Sequence, residues 1–95
     1  MGVPMRRARL RITGRVQGVG YRIWAMQMAR GLGLRGWVRN RTDGSVEALV
    51  IGGDDAVAAM LEAARDGPLA ARVADIAVNE AQDDGSVGFA PRATA

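Results

Sequence analysis

The run Gly14-Arg15-Val16-Gln17-Gly18-Val19-Gly20-Tyr21-Arg22 holds the residues of this chain best suited to chemistry. Before it, Ala8, Leu10 and Ile12 alternate with Arg7, Arg9 and Arg11, a period of two that predicts a half-buried strand. After it, Tyr21, Ala25, Met28, Ala29 and Leu32 recur at helical spacing, with Gly31 and Gly33 as stop signals. A strand-to-helix connection leaves backbone N–H groups without partners, and the helix N-terminus carries a partial positive charge that favours anions. Gly18 and Gly20 permit conformations that turn successive N–H groups inward as an anion-binding nest. Arg22, in the first helical turn, adds a bidentate cation. A cation opposes the helix dipole there, so the helix itself has no use for Arg22, whereas a bound anion does. The competing reading is a tight turn with incidental glycines. Other phosphate motifs do not fit: a Walker A loop needs Lys, and Gly18-Val19-Gly20 lacks the third glycine of a dinucleotide fingerprint.

Asn40 is the second candidate. Asn is common at strand ends and turns, so alone it reads as structural. Its position argues otherwise. A strand is expected at about Arg35–Asn40, and in a β-α-β unit the two strands run parallel, with their C-terminal ends at one edge of the sheet. Asn40 should therefore face the loop Arg15–Tyr21 and could orient a water against a phosphate held there. Trp24, Met26 and Trp37 read as core, and Arg7, Arg9 and Arg11 as a solvated strand face.

The elements that must position these residues follow from the remaining pattern. Asp43-Gly44 separates the strand at Arg35–Asn40 from another at about Ser45–Ile51, a hairpin signal. Gly52-Gly53-Asp54-Asp55 should cap a second helix with Val57, Met60, Leu61 and Ala64 on its apolar face, ended by Gly67-Pro68. A strand near Arg72–Val78 places Ala74, Ile76 and Val78 on one side. Asp84-Gly85 marks a turn, and Val87 and Phe89 suggest a short last strand before a frayed tail. The order β-α-β-β-α-β plus that strand is an α+β, ferredoxin-like sandwich, an antiparallel sheet with both helices on one face. The second strand-to-helix connection makes an internal control: its glycines are followed by two carboxylates and no cation.

Composition narrows the function classes. The 95 residues contain no Cys and no His, which removes thiolate sites, Cys nucleophiles and Ser-His-Asp triads. All thirteen cationic side chains are Arg. Residues 1–42 carry +10 and residues 43–95 carry −7, giving the net +3. So polarised a first half points to anion binding, and Arg favours planar recognition of phosphate or carboxylate. No apolar run approaches the roughly 20 residues of a membrane span. Met1-Gly2-Val3-Pro4-Met5-Arg6-Arg7 lacks the apolar stretch of a signal peptide, and Arg6 stands where myristoylation wants Ser or Thr. The expectation is a cytoplasmic protein, a monomer by default, without membrane association.

Taken together these stretches resemble the acylphosphatase family. The resemblance rests on Gly14–Arg22, then Leu32-Gly33-Leu34-Arg35-Gly36-Trp37-Val38-Arg39-Asn40, Asp43-Gly44-Ser45-Val46-Glu47, and Gly67-Pro68 with Ala71 and Val73. It covers about Ala8 to Phe89, within a single expected domain of residues 1–95 whose core spans about 7–90. It implies a ferredoxin-like fold and hydrolysis of the carboxyl-phosphate bond of small acyl phosphates. The backbone N–H groups of Gln17, Gly18, Val19, Gly20 and Tyr21 would hold the phosphate, Arg22 would be its cationic partner, and Asn40 would orient the attacking water. No metal and no cofactor is expected, and inorganic phosphate or sulfate should bind the loop. The tail after Phe89 and the acidic turn Asp83-Asp84 depart from the family pattern, and neither is expected to touch the site.

An acyl phosphate is a mixed anhydride with a good leaving group, so positioned water and stabilised phosphoryl charge suffice for its hydrolysis. The alternative reading is a basic ferredoxin-like module that binds nucleic acid through Arg-phosphate contacts. Against it, the strands lack the stacking aromatics of an RNA-recognition sheet.

Overall fold

A computed structural model describes residues 4–95; the reading of Met1-Gly2-Val3 as neither leader nor acylation signal lies outside them. The element order is β1 (Met5–Arg15), α1 (Tyr21–Gly31), β2 (Arg35–Asn40), β3 (Val46–Gly53), α2 (Asp54–Ala64), β4 (Arg72–Glu80) and β5 (Phe89–Pro91). The sheet order is β4-β1-β3-β2-β5. The expected ferredoxin-like sandwich is therefore present. No described helix is long and apolar enough to cross a membrane.

Alternation along each strand builds the core. Ala8, Leu10 and Ile12 of β1, Val38 of β2, and Val46, Ala48 and Val50 of β3 turn one face toward the helices. The helices answer with Tyr21, Ala25 and Ala29 from α1 and Val57, Met60 and Ala64 from α2, all buried. Each large side chain so buried contributes roughly 1.5–3 kcal/mol. The alternate positions Trp37, Leu49 and Ile51 form a smaller cluster on the other face, with Ala81 against it. Trp37 is thus buried as expected, but on the face opposite the helices.

The structure departs from the expected pattern in four places. The sheet is mixed, because β5 pairs with β2 in parallel, Gly36 to Phe89 and Val38 to Pro91. The chain leaves β4 at one edge of the sheet and returns at the other, so it meets β2 running the same way. In β4 the pairing with β1 shifts between Thr13 and Gly14. That bulge brings Val73 and Ile76 toward the core and leaves Ala74 exposed, so the regular Ala74-Ile76-Val78 stripe does not form. Helix α2 begins with Gly53 as its N-cap and no side-chain cap, and Asp54 and Asp55 occupy its first turn. Their carboxylates act on the helix dipole instead.

The fourth departure is the tail. It does not fray: the Arg92 N–H donates to the Val38 carbonyl at 2.8 Å, and the Ala95 N–H to the Asn40 carbonyl at 3.1 Å. The Thr42 N–H donates to the Ala95 carbonyl at 3.0 Å. Residues 92–95 thus prolong the parallel pairing along β2 as far as Asn40, beside the expected site. The satisfied backbone groups at this edge explain why a segment without an apolar pattern is ordered.

Candidate active site

The loop between β1 and α1 occupies residues 16–20. Val16 is buried and anchors its first end. Tyr21 anchors the other: it is buried, and its hydroxyl donates to the Ala64 carbonyl at 2.7 Å, tying the start of α1 to the end of α2. Burial pushes the Tyr21 phenol above its ordinary pKa. A Cβ at Gly67 would stand 2.5 Å from the Tyr21 ring, so the glycine that ends the second helical run also makes room for this anchor. Between the anchors, Gly18 and Gly20 have φ of 71° and 80°, in the left-handed region that other residues enter at a cost of about 1–2 kcal/mol.

Gly20 is the N-cap of α1. Its carbonyl accepts from the Trp24 N–H at 3.0 Å, while the N–H groups of Gln17, Gly18, Val19 and Gly20 find no acceptor among the described residues. The first turn of α1 contains no acidic residue, and it contains Arg22.

Gln17 contributes more than its backbone. Its side-chain amide donates to the Arg41 carbonyl at 2.8 Å and to the Ser45 carbonyl at 2.9 Å. Both acceptors lie in the β2–β3 hairpin that begins one residue after Asn40, so one amide ties the loop to the turn beside Asn40. The hairpin is itself fixed: Ser45 donates to Asp43 Oδ1 from its N–H at 2.9 Å and its Oγ at 2.6 Å. Those two bonds, with the Arg11 guanidinium at 2.7 Å, hold the Asp43 carboxyl well below the usual carboxylate range. Sequence reasoning gave Gln17 only a backbone role. The available signal was a long amide in a loop of small residues opposite a tight hairpin, whose carbonyls at Arg41 and Ser45 each take a second donor beside a backbone N–H.

A single cleft of about 230 Å³ is lined by Val16, Gln17, Gly18, Gly20, Tyr21, Arg22, Ile23 and Asn40. It unites every candidate residue except Val19, which is half-buried and packs against the core. Ile23 is the lining residue for which the sequence gave no signal. The fold thus brings Asn40, at the end of β2, to the loop at the end of β1, as parallel strands flanking β3 require.

The charges redistribute on folding. Arg9, Arg39 and Arg41 meet Glu47 at 3.7, 2.7 and 3.2 Å. Burial pushes the Glu47 carboxyl up, but these three guanidinium groups bring it below its ordinary pKa. Arg35 meets Asp83 at 2.6 Å and Arg92 meets Asp84 at 3.4 Å. Arg39 and Arg92 also stand 4.9 and 4.7 Å from the Trp37 ring. Arg9, Arg11, Arg35, Arg39 and Arg41, five of the ten Arg of the first half, are therefore answered by carboxylates of the second, and Arg22 is among those that make no ion pair among the described residues.

A cleft that brings together loop N–H groups without acceptors among the described residues, the Arg22 guanidinium and the Asn40 carboxamide could hold a phosphoryl group and orient a water beside it. Comparison with known proteins agrees with that chemistry: the family model for Acylphosphatase matches residues 8–91. The chain belongs to the acylphosphatase family. An acylphosphatase of Rhodospirillum rubrum is 53% identical over 83 residues, 87% of this chain and 91% of that one. One of Mesorhizobium japonicum is 56% identical over 75 residues, 79% of this chain and 80% of its own. The crystal structure of an acylphosphatase from Bacillus subtilis superposes with a TM-score of 0.88 at 37% identity, covering 94% of this chain and 99% of that one.

Proposed function

We propose that this chain is a monomeric cytoplasmic enzyme that hydrolyses small acyl phosphates to carboxylate and inorganic phosphate, without a metal or a covalent intermediate. The observation that carries the proposal is the one cleft shared by the phosphate loop, Arg22 and Asn40. The backbone N–H groups of residues 17–21 and the Arg22 guanidinium hold the phosphoryl oxygens. Asn40 orients a water in line with the bond to be broken. The water oxygen bonds to phosphorus as the bridging P–O bond breaks, and its electron pair leaves with the carboxylate. A non-bridging phosphoryl oxygen of the substrate accepts the proton of the water, so no side-chain base is required. Preorganised donors supply the rate by matching charge that spreads over the phosphoryl oxygens. Inorganic phosphate, and sulfate by shape, should occupy the same loop.

The nucleic-acid reading loses support from the folded charge pattern. Arg9, Arg11 and Arg39 on the outer sheet face are engaged by Glu47 and Asp43, and Trp37 is buried rather than offered for stacking.

The test is hydrolysis of benzoyl phosphate by the wild type, Arg22→Ala and Asn40→Ala, with folding checked by circular dichroism. Each substitution should lower kcat/KM by roughly 10²-fold or more. EDTA should leave the wild-type rate intact. A folded but inactive wild type, or activity lost to EDTA and restored by added metal, would remove this mechanism.

A further inference from the structure

Ile23 is an unusual residue for its place. It follows Arg22 in the first turn of α1, and it is 62% exposed although it is a large aliphatic side chain. One exposed aliphatic residue means little by itself. Here it belongs to a groove of about 210 Å³ lined by Arg22, Ile23, Met26 and Pro91. Arg22 and Ile23 also line the phosphate cleft, so the two hollows share a wall.

The groove is built by elements the fold holds in place. Pro91 stands opposite Val38 in the β2–β5 pairing. The strand is tied to α1 where Arg30 Nε donates to the Phe89 carbonyl at 2.9 Å, beside the buried Phe89 side chain. Met26, which the sequence pattern assigned to the core, is half-buried and turns part of its surface to this groove.

Substrate chemistry gives the groove an occupant. In an acyl phosphate the bridging oxygen joins phosphorus directly to the acyl carbon, so a phosphate gripped by the loop and Arg22 holds its acyl group within a few ångströms. The cleft is otherwise lined mostly by glycines and polar groups, and the adjoining apolar surface is Ile23, Met26 and Pro91. We propose that these three residues form the acyl subsite and favour small apolar acyl groups, aryl or short branched, over acetyl. This deepens the proposed function and rests on it for the identity of the substrate.

The test pairs binding with turnover. Calorimetry would compare inorganic phosphate with benzoylphosphonate, an unhydrolysable aryl analogue, on the wild type, Ile23→Ser and the double variant Ile23→Ser/Met26→Ser. Benzoyl and acetyl phosphate hydrolysis would be followed on the same proteins. The wild type should bind the aryl ligand roughly tenfold more tightly than inorganic phosphate, the scale of one apolar contact in a specificity site. Ile23→Ser alone, on an exposed position that should fold normally, should remove much of that gain and lower affinity for the aryl ligand by a larger factor than affinity for inorganic phosphate. An aryl gain that is absent, or that survives both substitutions, would overturn the subsite. An intact, Ile23-dependent aryl gain without any hydrolysis would instead sink the proposed enzyme and leave the groove standing. Hydrolysis without an aryl gain would do the reverse.

Discussion

The two strand-to-helix connections of this fold solve the same problem in opposite ways. Between β3 and α2 there is no loop: Gly53 ends the strand and caps the helix, and Asp54 begins it. The Asp54 N–H is satisfied by the Pro4 carbonyl at 2.8 Å, and Asp54 and Asp55 answer the helix dipole. Between β1 and α1 lie five residues, 16–20, with two glycines in the left-handed region, no carboxylate in the first turn, and Arg22 where the dipole disfavours it. One end uses the chain's own groups, whereas the other, in the function proposed above, is held open for an anion from outside. The open end carries donors unpaired among the described residues and a cation that the dipole disfavours, both of which a bound anion would relieve.

The sharpest way to break the contrast is to give α1 the electrostatics of α2. Arg22→Asp should abolish turnover, by more than roughly 10²-fold. It should also stabilise the folded protein by about 0.3–1 kcal/mol, because an acid suits a helix N-terminus. Activity assay and urea unfolding on one preparation would read both. A variant that loses stability would show that Arg22 serves the fold, contrary to the argument from the dipole.

Next in size is the tie that gives the open loop its shape. Gln17→Ala removes the second donor from the carbonyls of Arg41 and Ser45, which keep the N–H groups of Gly44 and Arg41, at a cost of about 0.5–1.5 kcal/mol. With the loop no longer fixed to the hairpin beside Asn40, kcat/KM should fall roughly ten- to a hundredfold. Unchanged kinetics in a folded variant would mean that the glycine geometry alone sets the loop. No counterpart of Gln17 is needed at the β3–α2 junction, which has no loop to hold.

Most of the fold was legible because its signals are local. Alternation in β1, the Asp43-Gly44 turn and the helical spacing from Tyr21 to Leu32 each depend on neighbours in sequence. The parallelism of β1 and β2 that this element order implies then puts Asn40 opposite the loop. The features that were not legible depend on pairings between distant segments. The bulge opposite Ala74 is set by the register of β4 on β1, and a shift of one residue reverses which side chains face the core. Order in the tail comes from backbone bonds to β2, which leave no side-chain pattern. The Gln17 anchor and the Ile23–Met26–Pro91 groove likewise need three-dimensional neighbours far apart in the chain.

The closed connection should respond more weakly than the open one. Asp54→Asn with Asp55→Asn removes two charges from the α2 dipole and should cost about 0.3–1 kcal/mol each, less in high salt. Benzoyl phosphate turnover should be unaffected. A clear loss of activity in the folded variant would mean that the two helix ends are coupled, and the contrast between them would no longer separate structure from function.

Smallest of all should be the effect of pH near neutrality, and the reason runs through the same division. The chain has no His. Its perturbed carboxylates, Asp43, Glu47, Asp83 and Asp84, all lie below their ordinary values, Asp83 at about 2 through its bond with Arg35. A lowered carboxyl pKa contributes stability that is fully present above the unfolded value of about 4, and it is lost as pH falls toward the folded value. Tyr21 is shifted the other way, so its contribution persists below the unfolded value of about 10 and fades above it. Unfolding free energy should therefore be level from about pH 5 to 9 and fall outside that window. Because water attack assisted by the substrate's own phosphate needs no titrating side chain, the rate should be level from about pH 6 to 8 as well. A steep sigmoid in the rate with flat stability would reveal a proton acceptor in the cleft besides the substrate, and would shift the mechanism from positioned water to general-base catalysis.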